Sequence, residues 1–194
     1  MILYHGSRTP GIQVLEPRQA DHDRPYIYLT TIEVVAVFYL CNAVERPYYW
    51  FPYGFRKDAP NIPVYDELYP NALREVSEGV HGWLYTVDVS EEDVLPFGEN
   101  PSARLSTKPL KVSSCIEVPD AYSLFQEYIR QGKMDIGRYE HMTKKHLDFY
   151  YHMILTYMLR KHLHTDSSYA RFVQEKFPAV WERFLIESSN QKKQ

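Results

Sequence analysis

ILYHGS, residues 2–7, is the first apolar segment of the chain and predicts its first β-strand. His5, Gly6 and Ser7 then fall at the end of that strand. A histidine at a strand end often does no more than bond a backbone carbonyl at the edge of a sheet. Gly6, however, allows a ligand or another backbone to approach closely, and Ser7 adds a hydroxyl group. The three residues together favour a binding site over a lone structural histidine.

A second segment, PYIYLTTIEVVAVFYL, begins at residue 25 after a predicted polar loop over residues 10–24. Tyr26 to Leu29 have strand preference, so Tyr28 lies near the end of a second strand. Thr30 followed three positions later by Glu33 is typical of a capping box and predicts a helix over about residues 31–44. Tyr28 therefore lies at the end of the second strand, just before the N-terminus of a predicted helix.

These two segments resemble the motifs of the ADP-ribosyltransferase-like superfamily, whose members bind NAD between two such strands. Tyr4-His5-Gly6-Ser7 matches the first motif, and Tyr28-Leu29-Thr30 occupies the place of the second. The resemblance covers about residues 1–118. It implies that the histidine contacts the adenosine-side ribose, that the glycine backbone holds the nicotinamide amide, and that the tyrosine stacks on nicotinamide. The NAD-binding residues it implies are His5, Gly6, Ser7, Tyr28 and Thr30.

Catalysis in this family also needs a carboxylate, because breaking the nicotinamide bond develops positive charge on the ribose. Many members carry Glu at the start of a late strand, but the corresponding residues 103–107 contain no acid. Some antibiotic-modifying relatives use an Asp from the loop after the preceding strand, where this chain has Glu91-Glu92-Asp93. A run of three acids is usually a solvent-exposed turn. Asp93 and Glu92 are nevertheless the candidate catalytic acids, for transfer of ADP-ribose to an unknown protein or small-molecule acceptor.

A related RNA-repair branch, the 2′-phosphotransferases, uses basic residues and a second histidine at the position of Tyr28. Arg104 is compatible with that interpretation. The tyrosine and the formal net charge of −3 argue against it, and the same charge disfavours general nucleic-acid binding.

The order of predicted elements favours an α+β protein of one domain. The resemblance gives it an ADP-ribosyltransferase-like antiparallel split β-sheet core with flanking helices and a C-terminal helical extension. We expect three parts: an NAD-binding core over residues 1–118, a helical extension packed on it over 119–188, and a polar tail over 189–194. Further predicted features of the core are a helix over 70–77, strands over 82–89 and 109–118, and loops over 46–63 and 91–107.

Two alternatives to an enzyme stay open. The first is a binding module of the same fold that binds NAD or ADP-ribose without turnover. The second is an interaction protein whose C-terminal helices form a partner or dimer surface that carries Tyr139, Phe149, Tyr157 and Trp181. An exposed apolar patch on those helices would favour the interaction protein.

Metal binding and membrane insertion are not expected. The five histidines between residues 141 and 164 lack the four-residue spacing that places two imidazoles on one helical face. No apolar run approaches the roughly 18 residues of a membrane span. Cys41 and Cys115 fall in apolar patterns, which predicts small buried side chains in a reducing compartment, so the expected location is the cytoplasm. The oligomeric state is open.

Overall fold

The computed structural model describes residues 1–19, 23–41, 53–56, 58–98, 100–161 and 163–191. It divides into two compact units. The first unit comprises Met1–Asn42, Gly54–Val64 and Arg74–Asp135, and the second comprises Ala43–Tyr53, Tyr65–Leu73 and Ile136–Gln194.

The described residues form eleven strands and six α-helices, which confirms the α+β class. The strands are β1 (Ile2–Ser7), β2 (Val14–Leu15), β3 (Ile27–Thr30), β4 (Tyr53–Arg56), β5 (Ala59–Asp66), β6 (Gly82–Asp88), β7 (Leu95–Phe97), β8 (Asn100–Ser106), β9 (Leu110–Lys111), β10 (Ser114–Val118) and β11 (Asp135–Gly137). The helices are α1 (Glu33–Cys41), α2 (Ala72–Ser77), α3 (Ala121–Arg130), α4 (Lys144–Arg160), α5 (Ser168–Lys176) and α6 (Pro178–Gln191). None of the described helices is long and apolar enough to cross a membrane.

The first unit is built on a six-stranded antiparallel sheet of order β10-β6-β1-β3-β8-β7. Strand β1 pairs with β6 along its whole length, from Ile2 opposite Asp88 to Ser7 opposite Trp83. Strand β1 pairs with β3 at a single position, where Tyr4 lies opposite Thr30. The sheet is therefore joined loosely between β1 and β3, next to the residues that the first motif singles out.

One face of this sheet packs on the small β2-β9 sheet through a buried apolar cluster made of Leu3, Leu15, Ile27, Leu29, Val87, Val94 and Leu110. Helix α1 covers β1 from the other side. A Cβ atom added at Gly6 would lie 2.1 Å from the Ala36 carbonyl oxygen. Helix α3 packs in turn on α1, where the Phe38 and Phe125 rings lie 4.8 Å apart.

The second unit contains α4, α5 and α6, whose inner faces share an aromatic cluster. Tyr69 makes edge contacts with Phe172 and Phe177, each with ring centroids 6.0 Å apart. Thr143 and Ser167 cap α4 and α5, because each hydroxyl accepts a hydrogen bond from a backbone N–H three residues later. Pro178 is the first residue of α6, a position where its missing N–H costs no helical hydrogen bond.

Several predicted boundaries were wrong. The loop expected over residues 46–63 contains β4 and β5, with residues 46–52 and 57 outside the described part. The loop expected over 91–107 contains a 3-10 turn at Glu91–Asp93, then β7 and β8. The expected strand over 109–118 is divided into β9 and β10, and Cys115 in β10 is exposed rather than buried. Helix α6 continues to Gln191, into the expected polar tail.

Candidate functional site

A pocket of about 240 Å³ lies in the first unit beside the loosely joined strands β1 and β3. Its walls come from β1, β2, β3 and the segments around β2. The lining residues are His5, Ser7, Ile12, Val14, Leu15, Glu16, Arg18, Tyr26, Ile27 and Tyr28. Three of the predicted NAD-binding residues, His5, Ser7 and Tyr28, are therefore brought together.

His5 is held in one tautomer. Its Nδ1 atom lies 2.8 Å from the Tyr28 carbonyl oxygen. Because a carbonyl can only accept, Nδ1 carries the proton and Nε2 of the neutral ring is an acceptor. Burial lowers the pKa of His5, the hydrogen bond to Tyr28 opposes that shift, and the charge of Arg18 adds to it. The site thus presents an uncharged imidazole at neutral pH.

Tyr28 connects the pocket to the outer strands of the sheet. Its ring makes edge contacts with Tyr26 and Phe97, with centroids 6.4 Å and 6.3 Å apart. The backbone of Tyr28 lies opposite Leu105 of β8 on one side and accepts the His5 hydrogen bond on the other. Tyr26 and Tyr28 are both lining residues of the pocket, and the Tyr28 carbonyl oxygen contacts His5 there.

The other motif residues have structural contacts that explain their identity. Gly6 is not among the lining residues, and its missing side chain makes room for the Ala36 carbonyl. Thr30 is buried, and its hydroxyl accepts the Ile32 N–H at 3.1 Å where the chain enters α1. Ser7 lines the pocket while its hydroxyl accepts the Thr9 N–H at 3.1 Å. Some motif residues therefore line the pocket, and others allow α1 to begin and to pack on β1.

The two predicted catalytic acids lie elsewhere in the first unit. Glu92 and Asp93 belong to the 3-10 turn before β7, and neither lines the pocket. The Asp93 carboxylate lies 3.3 Å from the Lys108 ammonium, and its carbonyl accepts the Ser106 hydroxyl. The acid that does line the pocket is Glu16, an exposed residue just after β2.

Glu16 and Arg18 are the functional candidates that the sequence reasoning missed. Both belong to a segment that was predicted to be a plain polar loop. In the structure β2 is anchored by pairing with β9, with Leu15 opposite Leu110. A signal was present in the apolar pair Val14-Leu15 directly before Glu16, although two residues are too few to predict a strand.

The Tyr85 hydroxyl holds the start of the segment that carries Glu16 and Arg18. Its hydroxyl donates to the Thr9 carbonyl at 2.7 Å and accepts the Ile12 N–H at 3.3 Å. The Tyr85 side chain is fully buried on β6, directly opposite His5 in the strand register. Burial raises the pKa of Tyr85, so the hydroxyl keeps its proton and remains a donor.

Comparison with known proteins gives no relative: no family model, no curated protein and no solved structure matches the chain. The likeness to ADP-ribosyltransferases therefore rests on the two short motifs. The evidence for function is therefore the chemistry of the pocket.

The size of the pocket limits what it can enclose. Pockets that enclose drug-sized ligands usually measure roughly 300–1,000 Å³, and this one measures about 240 Å³. It suits a sugar with one ring system better than a whole dinucleotide. Within the described ranges, no group of three or more His, Cys, Asp or Glu side chains is placed to hold a metal ion.

The helices of the second unit expose some apolar side chains. Phe149 on α4 is 61% exposed, and Ile186 on α6 is 62% exposed. Two of the other aromatics named for a partner surface are in contact within the unit, since Tyr157 stacks on Tyr169 and Trp181 contacts Phe184.

Proposed function

We propose that this protein binds NAD at the β1-β3 pocket and is an ADP-ribosyltransferase-like enzyme that cleaves the nicotinamide-ribose bond. The observation that carries the proposal is the neutral His5 imidazole, fixed by the Tyr28 carbonyl in a pocket that also contains Arg18 and Glu16. A hydrogen-bond acceptor, a cation, a carboxylate and aromatic rings are the groups that recognise a ribose, phosphates and a flat base.

The binding mode follows from size and charge. One nucleoside half of NAD enters the pocket, and the other half extends over its open side. The Nε2 atom of His5 accepts a ribose hydroxyl, because Nδ1 already donates to Tyr28. The exposed guanidinium of Arg18 lies on the pocket wall and pairs with the phosphates.

The reaction requires a negative charge near the ribose. When the bond between nicotinamide and C1′ breaks, its electron pair leaves with nicotinamide and the ribose becomes cationic. Glu16 supplies the stabilising carboxylate, the role for which the sequence suggested Asp93 or Glu92. The acceptor then forms a bond to C1′ and releases its proton to solvent. The acceptor is an unidentified protein or small molecule, and we place the activity in the cytoplasm.

A second candidate function is binding of NAD or ADP-ribose without turnover. It is favoured by one specific observation, that Glu16 is exposed to solvent, where a carboxylate stabilises a nearby cation less than in a dry site. In this case the same residues bind NAD and no nicotinamide is released.

Nicotinamide release from NAD, followed by chromatography, separates the two functions. We expect the wild type to release nicotinamide, and Glu16→Gln to bind NAD normally while release falls about 100-fold. Asp93→Asn is the matched control and should retain release, because Asp93 pairs with Lys108 outside the pocket. A wild type that binds NAD but releases no nicotinamide would be a binding module and not an enzyme. Full release by Glu16→Gln would exclude this carboxylate as the acid.

A further inference from the structure

Strand β10 is one edge of the six-stranded sheet. It pairs with β6 from Ser114 opposite Thr86 to Val118 opposite Gly82, and no described strand pairs with its other side. Four consecutive side chains, Ser114, Cys115, Ile116 and Glu117, are exposed, with Ile116 at 51%. An open edge with exposed side chains on both faces is a template for pairing with another strand.

The opposite edge of the same sheet is protected. Strand β7 contains Pro96, which has no N–H to donate, and its register with β8 is interrupted between Pro96 and Phe97. Prolines and β-bulges on an edge strand hinder its pairing with a strand of another chain. Strand β10 has neither: its sequence is SCIEV, and its register with β6 is unbroken over five residues. The two edges thus differ in their capacity to accept a further strand.

We propose that β10 pairs antiparallel with β10 of a second copy of this chain, so that two six-stranded sheets join across a twofold axis. Such an axis places residues of the same sheet face opposite each other. With Ile116 on the axis, it lies opposite Ile116 of the second copy, and Cys115 lies opposite Glu117.

This register fits the side chains of the strand. It buries the exposed Ile116 pair and keeps the two Glu117 carboxylates from lying directly opposite each other, which would be destabilising. With Cys115 on the axis instead, Ile116 would face Ser114 and gain less apolar contact. The sequence SCIEV is thus self-complementary, which favours a second copy over an unrelated peptide.

The association should be weak and reversible. A single five-residue strand on each side buries less than the roughly 1,000 Å² expected of a stable interface. Sedimentation velocity on the full chain, from about 1 μM to about 1 mM, covers the corresponding range of dissociation constants. The wild-type sedimentation coefficient should rise with concentration towards that of a dimer.

Two matched variants test the edge. Ile116→Lys places a charge on β10 and should remain monomeric. Leu95→Lys on β7 is the control, because Leu95 is also 51% exposed but lies on the protected edge; it should associate like the wild type. Far-UV circular dichroism and urea unfolding check that both variants fold. A wild type that stays monomeric, or an Ile116→Lys variant that associates like the wild type, would overturn the proposal.

Cysteine cross-linking tests the register. With Cys115→Ser as background, Ile116→Cys should form an intermolecular disulfide under mild oxidation, since directly opposite Cα atoms lie about 4.5–5.5 Å apart. Leu95→Cys in the same background should not. Wild-type Cys115 should cross-link poorly, because diagonal positions lie about 7–8 Å apart. Equal cross-linking of the two engineered variants, or efficient cross-linking through Cys115, would contradict pairing about Ile116. These measurements do not depend on NAD.

Discussion

Replacing Gly6 with alanine should destabilise the first unit through helix α1. The added Cβ would lie 2.1 Å from the Ala36 carbonyl oxygen and 3.2 Å from the Leu40 nitrogen, both backbone atoms of α1. To restore ordinary contact the helix has to move by about 1 Å or more, and overpacking of this kind costs roughly 1–3 kcal/mol. The loss of glycine entropy in the unfolded chain offsets only about 0.4–1 kcal/mol. We expect a net loss of about 1–2 kcal/mol.

Urea unfolding followed by circular dichroism measures this loss. In thermal unfolding of a chain of this size, about 1–2 kcal/mol corresponds to a fall in melting temperature of roughly 2–8 °C. Gly54→Ala is the matched control in a strand, because a Cβ there meets nothing within 4 Å. A Gly6→Ala protein as stable as the Gly54→Ala protein would refute the close packing of α1 on β1.

Three further changes test the site and the packing of the first unit. As the pH falls below about 6.5, the wild type should lose stability, because the unfolded chain takes up a proton before the half-buried His5 does. In urea titrations at about pH 7.5 and about pH 5.5, His5→Gln should show a smaller loss of stability. Tyr85→Phe removes the hydrogen bond to the Thr9 carbonyl and should cost about 1–2 kcal/mol, with weaker NAD binding because the pocket segment loosens. Asp120 caps α3 by accepting the Ser123 N–H at 2.7 Å, and Asp120→Ala should cost about 0.5–2 kcal/mol. Although burial acts in the opposite direction, hydrogen bonds from Ser123 lower the pKa of Asp120, so in thermal denaturation this penalty should shrink in acid as the carboxylate is protonated.

The elements that the sequence predicted well have strong local signals. Alternating apolar residues mark β6, which lies within the strand expected over residues 82–89. Strand β8 was missed because NPSARLS has the composition of a loop; pairing with β3 and β7 on both sides makes it a strand. Such pairing depends on partners far along the chain, which local patterns do not contain.

The candidate site was predicted only in part for the same reason. His5 and Tyr28 follow from strands that local patterns reveal. Glu16 reaches the pocket because β2 pairs with β9, and Leu110 lies about a hundred positions away in the sequence. At Gly6 the sequence left two alternatives, approach of a ligand or of another backbone, and the structure shows the backbone of α1 in close approach.

Calorimetric titration of the protein with NAD tests the central claim most directly. The account predicts binding in the micromolar to low-millimolar range, competition by ADP-ribose, and about tenfold weaker binding by His5→Ala. Tyr28→Ala should also weaken binding, because Tyr28 lines the pocket and its ring contacts Tyr26, which also lines it. Absence of binding by the wild type, or equal affinity of the wild type and His5→Ala, would contradict the assignment of an NAD site to this pocket.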